Sequence, residues 1–174
     1  LIYYDRLSSL IGEILLTSDG LTLTGLFIPT GGRSPKITIG YEQAPELAIF
    51  SAARKQLGEY FAGISQGFDL PLQMNGTNFQ KAVWRELLSI PYGATISYSE
   101  QAKRLGNPNA QRAVGLANGC NPISIIVPCH RVIGANGSLT GYGGGIAQKR
   151  ALLELEQRYA NRFAASAAVI PARV

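Results

Sequence analysis

The stretch GEILLTSDGLTLTGLFI (residues 12–28) places short Ile/Leu/Thr/Phe runs on either side of Asp19-Gly20, which predicts two strands joined by a turn. From Pro45 the apolar period lengthens. In PELAIFSAARKQLGEYFAG (45–63), Leu47, Phe50, Leu57 and Phe61 share one helical face, Pro45 suits the first turn and Gly63 the stop. QGFDLPLQMNG (66–76) reads as a connector and sets a boundary near residue 75.

Beyond that boundary the pattern is mostly helical. Thr77 and Gln80 fit a capping box, and Phe79, Val83 and Leu87 recur every four residues as a packed face would. Pro91 and Gly93 end that helix. Ser97 and Glu100 form a second candidate box, opening a helix that stops near Gly106. NPN (107–109) makes a turn, Pro108 favours the start of AQRAVGLAN (110–118), and Gly119 is placed to end it. Two short helices so joined read as a helix-turn-helix. ISIIV (123–127) predicts a short buried strand delivering Cys129; GYGGG (141–145) is a glycine loop before the amphipathic helix AQKRALLELEQRY (147–159). No internal repeat is visible, and ANRFAASAAVIPARV (160–174) carries no assignable pattern.

Composition narrows the classes. A chain of 174 residues, 46% hydrophobic and 16% charged, suits one domain or two small ones, and no apolar run is long enough to span a bilayer. A net charge of +5 and a pI near 9.4 favour a polyanionic partner. Two cysteines make no disulfide framework, and with one histidine they make no standard zinc site, so neither metal nor cofactor is expected. A reducing, cytoplasmic setting is the default, and LIYYDRLSSL does not read as a signal peptide.

The candidate chemistry lies in IIVPCHRVIG (125–134), where Cys129 stands beside His130, the only histidine. A neighbouring imidazole lowers a thiol's pKa or relays its proton, and Glu154 or Glu156 of the last helix could orient it. The bland alternative is an inert buried thiol. In the second helix of the pair, Ala110, Ala113, Val114 and Ala117 form a small apolar face, with Gln111, Arg112, Gly115 and Asn118 around it. That face suits close backbone approach better than major-groove readout; tight internal packing is the equal alternative. GYGGGIAQK lacks the G-K-[ST] ending of a phosphate loop and reads as a connector or a pocket wall. Cys120 reads as a small helix-end residue.

NPISIIVPCHRVIGANGSLTGYGGG, with GTNFQKAVWRELLSIPYGATISYSEQA and QRAVGLANGCNP before it, resembles the active-site region of the O6-alkylguanine-DNA alkyltransferases, from about Gly76 to Tyr159. The resemblance implies an α/β N-terminal domain with an RNase-H-like sheet and helix (1–75), a mainly α DNA-binding and alkyl-transfer domain with a helix-turn-helix (76–160), and a tail of unknown role (161–174). It implies a monomer that repairs double-stranded DNA bearing O6-alkylguanine through the minor groove, with O4-alkylthymine a second candidate base and cooperative assembly on DNA left open. Cys129 would accept the alkyl group, His130 would take its proton through water, Glu156 would orient His130 and Asn121 would brace the turn. Arg112 would fill the gap left by the flipped base, flanked by Ala110, Gln111, Ala113 and Gly115. Tyr98 would help extrude the nucleotide and donate to the guanine ring. The loop at Tyr142 and Gly143 would close over the base, with the Cys129 and Val132 carbonyls accepting from its amine. Cys120, and Gly143 where some relatives carry Ser, depart from the pattern.

A thioether has no easy route to hydrolysis or exchange, so one turnover per molecule is expected. Three rivals use the same residues: a protein that recognises alkylated DNA without repair, a Cys-His hydrolase, and a sequence-specific regulator. A zinc deaminase is excluded, since H-x-E and P-C-x-x-C are absent.

Overall fold

The computed structural model describes residues 1–163; residues 164–174 of the expected tail lie outside them. Strands β1 (Ile2–Ser9), β2 (Gly12–Ser18), β3 (Leu23–Phe27) and β4 (Tyr41–Gln43) form one sheet in the order β3-β2-β1-β4, with β4 parallel to β1 and the other pairs antiparallel. The expected pair is β2 and β3. Their connection spans residues 19–22, tied by Asp19 Oδ1 accepting from the Leu21 and Thr22 N–H groups at 2.9 and 2.7 Å. β1 escaped the pattern because its buried position is Asp5, ion-paired with Arg54 of helix α1 (Ala48–Phe61). α1 covers the sheet with Ile49, Phe50, Ala53, Leu57 and Tyr60. It begins three residues after Pro45, and Gly63 stops it with φ +68°.

Helices α2 (Asn78–Leu87), α3 (Tyr98–Arg104), α4 (Gln111–Gly119) and α5 (Ile146–Phe163) follow, with the two-residue parallel pair β5 (Ile96–Ser97) and β6 (Val132–Ile133). The Thr77–Gln80 capping box is present in both directions. The packed face of α2 is Val83, Trp84 and Leu87, whereas Phe79 stands exposed in the first turn, one position off the buried stripe. Ser97 caps α3 by accepting from the Glu100 N–H, but the Glu100 carboxylate turns to Arg104, so the second box is half made. Gly119 lies inside α4, and Cys120 is the cap.

ISIIV is buried but is not a strand. Only Ile123 makes a bridge, to Leu26, and Ile125 has φ +73°, a conformation that interrupts extended structure and is strained for a β-branched residue.

The open edge of β3 joins the two halves. Leu23 exchanges hydrogen bonds with Pro71 and Gln73 of the connector, and Leu26 with Pro122 and Ser124 just before Cys129. Phe68, Leu70, Leu72 and Met74 of the connector are buried in the same core cluster as Leu26, Trp84, Val127 and Leu152. The segment read as a connector is therefore a packed sheet edge, and the N-terminal sheet carries the loop that presents the thiol.

Candidate active site

Cys129, His130 and Arg131 form a single 3-10 turn, which sends adjacent side chains in different directions where a strand would have opposed them. Asn121 holds the approach. Its Nδ2 donates to the Val127 carbonyl (2.7 Å) and to Cys129 Sγ (3.1 Å), while its Oδ1 accepts from the Ile123 N–H (3.0 Å). One side chain thus fixes the turn and places a donor on the sulfur.

His130 is fully buried, and its Nε2 lies 2.7 Å from Glu156 Oε1. Glu156 also accepts from Tyr60 Oη (2.7 Å, Oε1), Arg131 Nη2 (2.9 Å, Oε1), Arg131 Nε (2.9 Å, Oε2) and the Gly93 N–H (3.0 Å, Oε2). Burial raises the Glu156 carboxyl, but the Arg131 guanidinium and the hydrogen bonds from His130 and Arg131 outweigh it and hold the carboxyl well below the usual range. An ionised Oε1 assigns the proton of neutral His130 to Nε2. That leaves Nδ1 as the basic nitrogen, and Nδ1 is buried without a protein partner among the described residues. Burial, with Arg131 and Lys149 nearby, pushes the His130 pKa down despite Glu156, so the imidazole is neutral and ready to accept a proton. Glu154, the other carboxylate considered, is exposed.

Of the two roles open to His130, lowering the thiol pKa or relaying its proton, the relay suits the state of this thiol. Burial pushes Cys129 up, against the Asn121 donor and the Lys149 charge, so the resting side chain is a thiol. Cys120 is exposed at the end of α4, where Arg33 reaches its sulfur (3.5 Å) and the Gly119 carbonyl.

Tyr98 opens α3 and stands between α4 and the glycine loop: its Oη donates to the Thr140 carbonyl at 2.8 Å, and its ring lies under Gly115. With Gln111, Arg112, Gly115, Leu116, Thr140 and Gly141 it lines an open groove of about 420 Å³. The α4 face read from the sequence divides. Val114 and Ala117 point inward together with Asn118, which is bonded to Gln101, while Ala113 is exposed beside Gln111 and Arg112 and Ala110 is half-buried. Tyr142 is buried near Cys129, Gly143 lines the cleft over the sulfur, and the Val132 carbonyl accepts from Lys149 Nζ at 2.6 Å. The Cys129 carbonyl accepts from the Val132 N–H.

Four contributors were not anticipated. Arg131 forks onto Glu156 and reaches the Ile90 carbonyl. Lys149 is fully buried, bonded to the Val132 and Thr140 carbonyls, and burial lowers its pKa to about 8. The signal for it was a lysine at i and i+3 with Leu152 on the apolar face of α5. Tyr60 and the Pro29–Gly31 turn come from the N-terminal half, where no local pattern marks them. A Cβ on Gly31 would overlap the Gly143 carbonyl and the Gly144 backbone, so this turn lies backbone to backbone on the glycine loop.

The likeness to known proteins covers most of the chain. The family model described as 6-O-methylguanine DNA methyltransferase, DNA binding domain, matches residues 78–158. A methylated-DNA–protein-cysteine methyltransferase of Mycobacterium tuberculosis is 54% identical over 157 residues, covering 90% of this chain and 93% of the relative. The chain belongs to the methylated-DNA–protein-cysteine methyltransferase family. A family member from Methanosarcina acetivorans is 50% identical over 154 residues, covering 88% of this chain and 97% of its own. The crystal structure of M. tuberculosis OGT in complex with DNA superposes with a TM-score of 0.83 at 52% identity, covering 90% of this chain and 94% of that one. The family's DNA-binding segment holds Tyr98, Arg112, Asn121, Cys129, His130 and Glu156, whereas Tyr60 and Gly31 precede it.

Proposed function

We propose that this chain repairs DNA by moving the alkyl group of O6-alkylguanine onto its own Cys129, once per molecule. The observation that carries the reading is the proton path: a buried thiol touched by Asn121, beside a neutral histidine whose Nε2 is committed to Glu156 and whose Nδ1 is uncommitted within the protein. Water bridging Sγ and Nδ1 would pass the thiol proton to His130. Glu156 would hold the resulting imidazolium, and Arg131 would keep Glu156 in place. The thiolate is then made as it is used, which suits a resting thiol whose pKa burial keeps high. Sulfur attacks the alkyl carbon in line, the S–C bond forms as the C–O6 bond breaks, and the guanine anion is met by donors from Tyr98 and the backbone of the Tyr142–Gly143 loop.

The base must leave the duplex to reach Cys129, at a cost of a few kcal/mol. Arg112, exposed on α4 with Gln111 and Ala113 and beside half-buried Gly115, suits the vacated position, and Tyr98 at the edge of the same groove suits rotation of the nucleotide. In this reading α3 and α4 act as a helix-turn-helix that offers its small outward face to the minor groove. Residues 1–75 act as an RNase-H-like α/β unit, and 76–160 as the catalytic unit. The protein works as a monomer on double-stranded DNA, with O4-alkylthymine a second substrate to test. A cytoplasmic setting, which keeps Cys129 reduced, goes with the same reading. Among the described residues, no helix is long and apolar enough to cross a membrane.

Cys129→Ser is expected to abolish transfer from a duplex carrying O6-methylguanine and to leave binding of that duplex intact in a mobility-shift titration. Transfer that persists would move the acceptor to Cys120.

A further inference from the structure

The proton path described above lies wholly in the second half of the chain, yet one of its hydrogen bonds comes from the first. Tyr60, in the last turn of α1, is completely buried, and its Oη donates to Glu156 Oε1 at 2.7 Å. This is the same oxygen that faces His130 Nε2. The phenol is held by edge and tilted contacts with Phe61, Phe68 and Tyr92, at centroid distances of 5.4, 5.3 and 5.9 Å. Phe61 and Phe68 hold the ring from the N-terminal half and Tyr92 from the second, and the hydroxyl is spent on the second.

We infer that Tyr60 is a positioning residue for alkyl transfer: it shares Glu156 Oε1 with His130 and so sets how strongly the carboxylate stabilises the imidazolium. The inference rests on the reading of His130 as the base. Every donor on Oε1 withdraws negative charge from the oxygen that the imidazolium needs. With Tyr60 in place the Glu156–His130 bond is tempered, His130 stays neutral at physiological pH, and the base is available. With the hydroxyl removed, Oε1 keeps more charge, protonated His130 is favoured, and the pKa of the imidazole rises.

The other charged and titratable groups around this point act from fixed positions. Arg131, on the Cys129–Arg131 turn, binds both Glu156 oxygens and lies 5.7 Å from the Tyr92 ring centre; Lys149, one of the α5 groups, opposes protonation of His130 through space; and Tyr92 has its own pKa raised to about 12 by burial and by Glu156. None of these takes over the bond that Tyr60 makes. Burial and the Glu156 charge both push the Tyr60 phenol well up, so it donates at every working pH and does not itself titrate.

His130 is the only histidine, so a tag-free protein gives one imidazole to follow by NMR, without reference to turnover. Tyr60→Phe keeps the ring and removes the donor. The imidazole pKa is expected to rise by on the order of half a unit. The acid limb of the rate with free O6-benzylguanine should shift upward by the same amount, and His130→Gln should abolish that limb. An unshifted imidazole pKa and limb in Tyr60→Phe, with or without a uniform loss of rate, would mean that the hydroxyl only packs, and would overturn the inference alone. A limb that His130→Gln leaves unchanged would overturn the base reading and this inference with it.

Discussion

Glu156 accepts from Tyr60, His130, Arg131 and the Gly93 N–H, with no side of the carboxylate left to water. The arrangement resolves what the sequence left open at single residues: Glu156 rather than Glu154 orients His130, and Cys129 is a protected thiol rather than a standing thiolate. PCHR was legible as chemistry because its residue types are rare and adjacent. The carboxylate and the lysine were harder to find, since they depend on which face of α5 turns inward. The charges also fix a pH dependence of stability. Glu156, with its folded pKa depressed, contributes stability that is complete above the unfolded value of about 4.3 and is lost as pH falls through the folded value. His130, also depressed, leaves the unfolded chain binding the extra proton below about 6.5, so stability falls there too. Thermal unfolding followed from pH 7 to pH 4 is expected to show a steadily falling midpoint; a flat midpoint across that window would contradict the buried, neutral assignment of His130. Glu156→Gln breaks a buried ion pair and is expected to cost about 3–5 kcal/mol of stability at pH 7, measured by denaturant unfolding.

At the level of elements, local chemistry was readable and long-range compensation was not. The Thr77–Gln80 box could be read from four residues because it involves only those four. β1 could not, since Asp5 looks like a solvent residue until Arg54 of α1 is set beside it. ISIIV looked like a strand because its residues favour one. Ile125 is instead turned to positive φ by a loop that Asn121 ties down and β3 pairs with, and that bend brings Cys129 into a 3-10 turn. The outward side of α4 is a surface of Gln111, Arg112, Ala113, Gly115 and Leu116 with little reach beyond Arg112. Arg112→Ala is therefore expected to slow repair in a duplex at least tenfold more than reaction with free O6-benzylguanine, in parallel single-turnover assays. Equal losses on the two substrates would remove Arg112 from base extrusion.

Across the whole molecule, the boundary near residue 75 separates two patterns but not two cores. β3 lends its edge to the connector and to the loop before Cys129, Tyr60 reaches Glu156, Gln148 meets Thr30 at 3.1 Å, and the Pro29–Gly31 turn rests on the glycine loop. None of these contacts has a sequence signature, because each joins residues far apart in the chain. Gly31→Ala adds one methyl group against the Gly143–Gly144 backbone. It is expected to displace the loop and lower the rate with free O6-benzylguanine by about tenfold or more, with DNA affinity little changed; an unaltered rate would show that the loop works without the N-terminal turn.

The central claim, irreversible transfer to one named sulfur, is tested most directly by mass. The protein is mixed with an excess of duplex carrying a single O6-methylguanine, and intact and peptide masses are recorded over time. The account predicts one methyl group, on the peptide containing Cys129, with modification stopping at one per molecule. Methylation on the Cys120 peptide, continued turnover of the lesion by unmodified protein, or tight binding of the damaged duplex with no mass change would each contradict it.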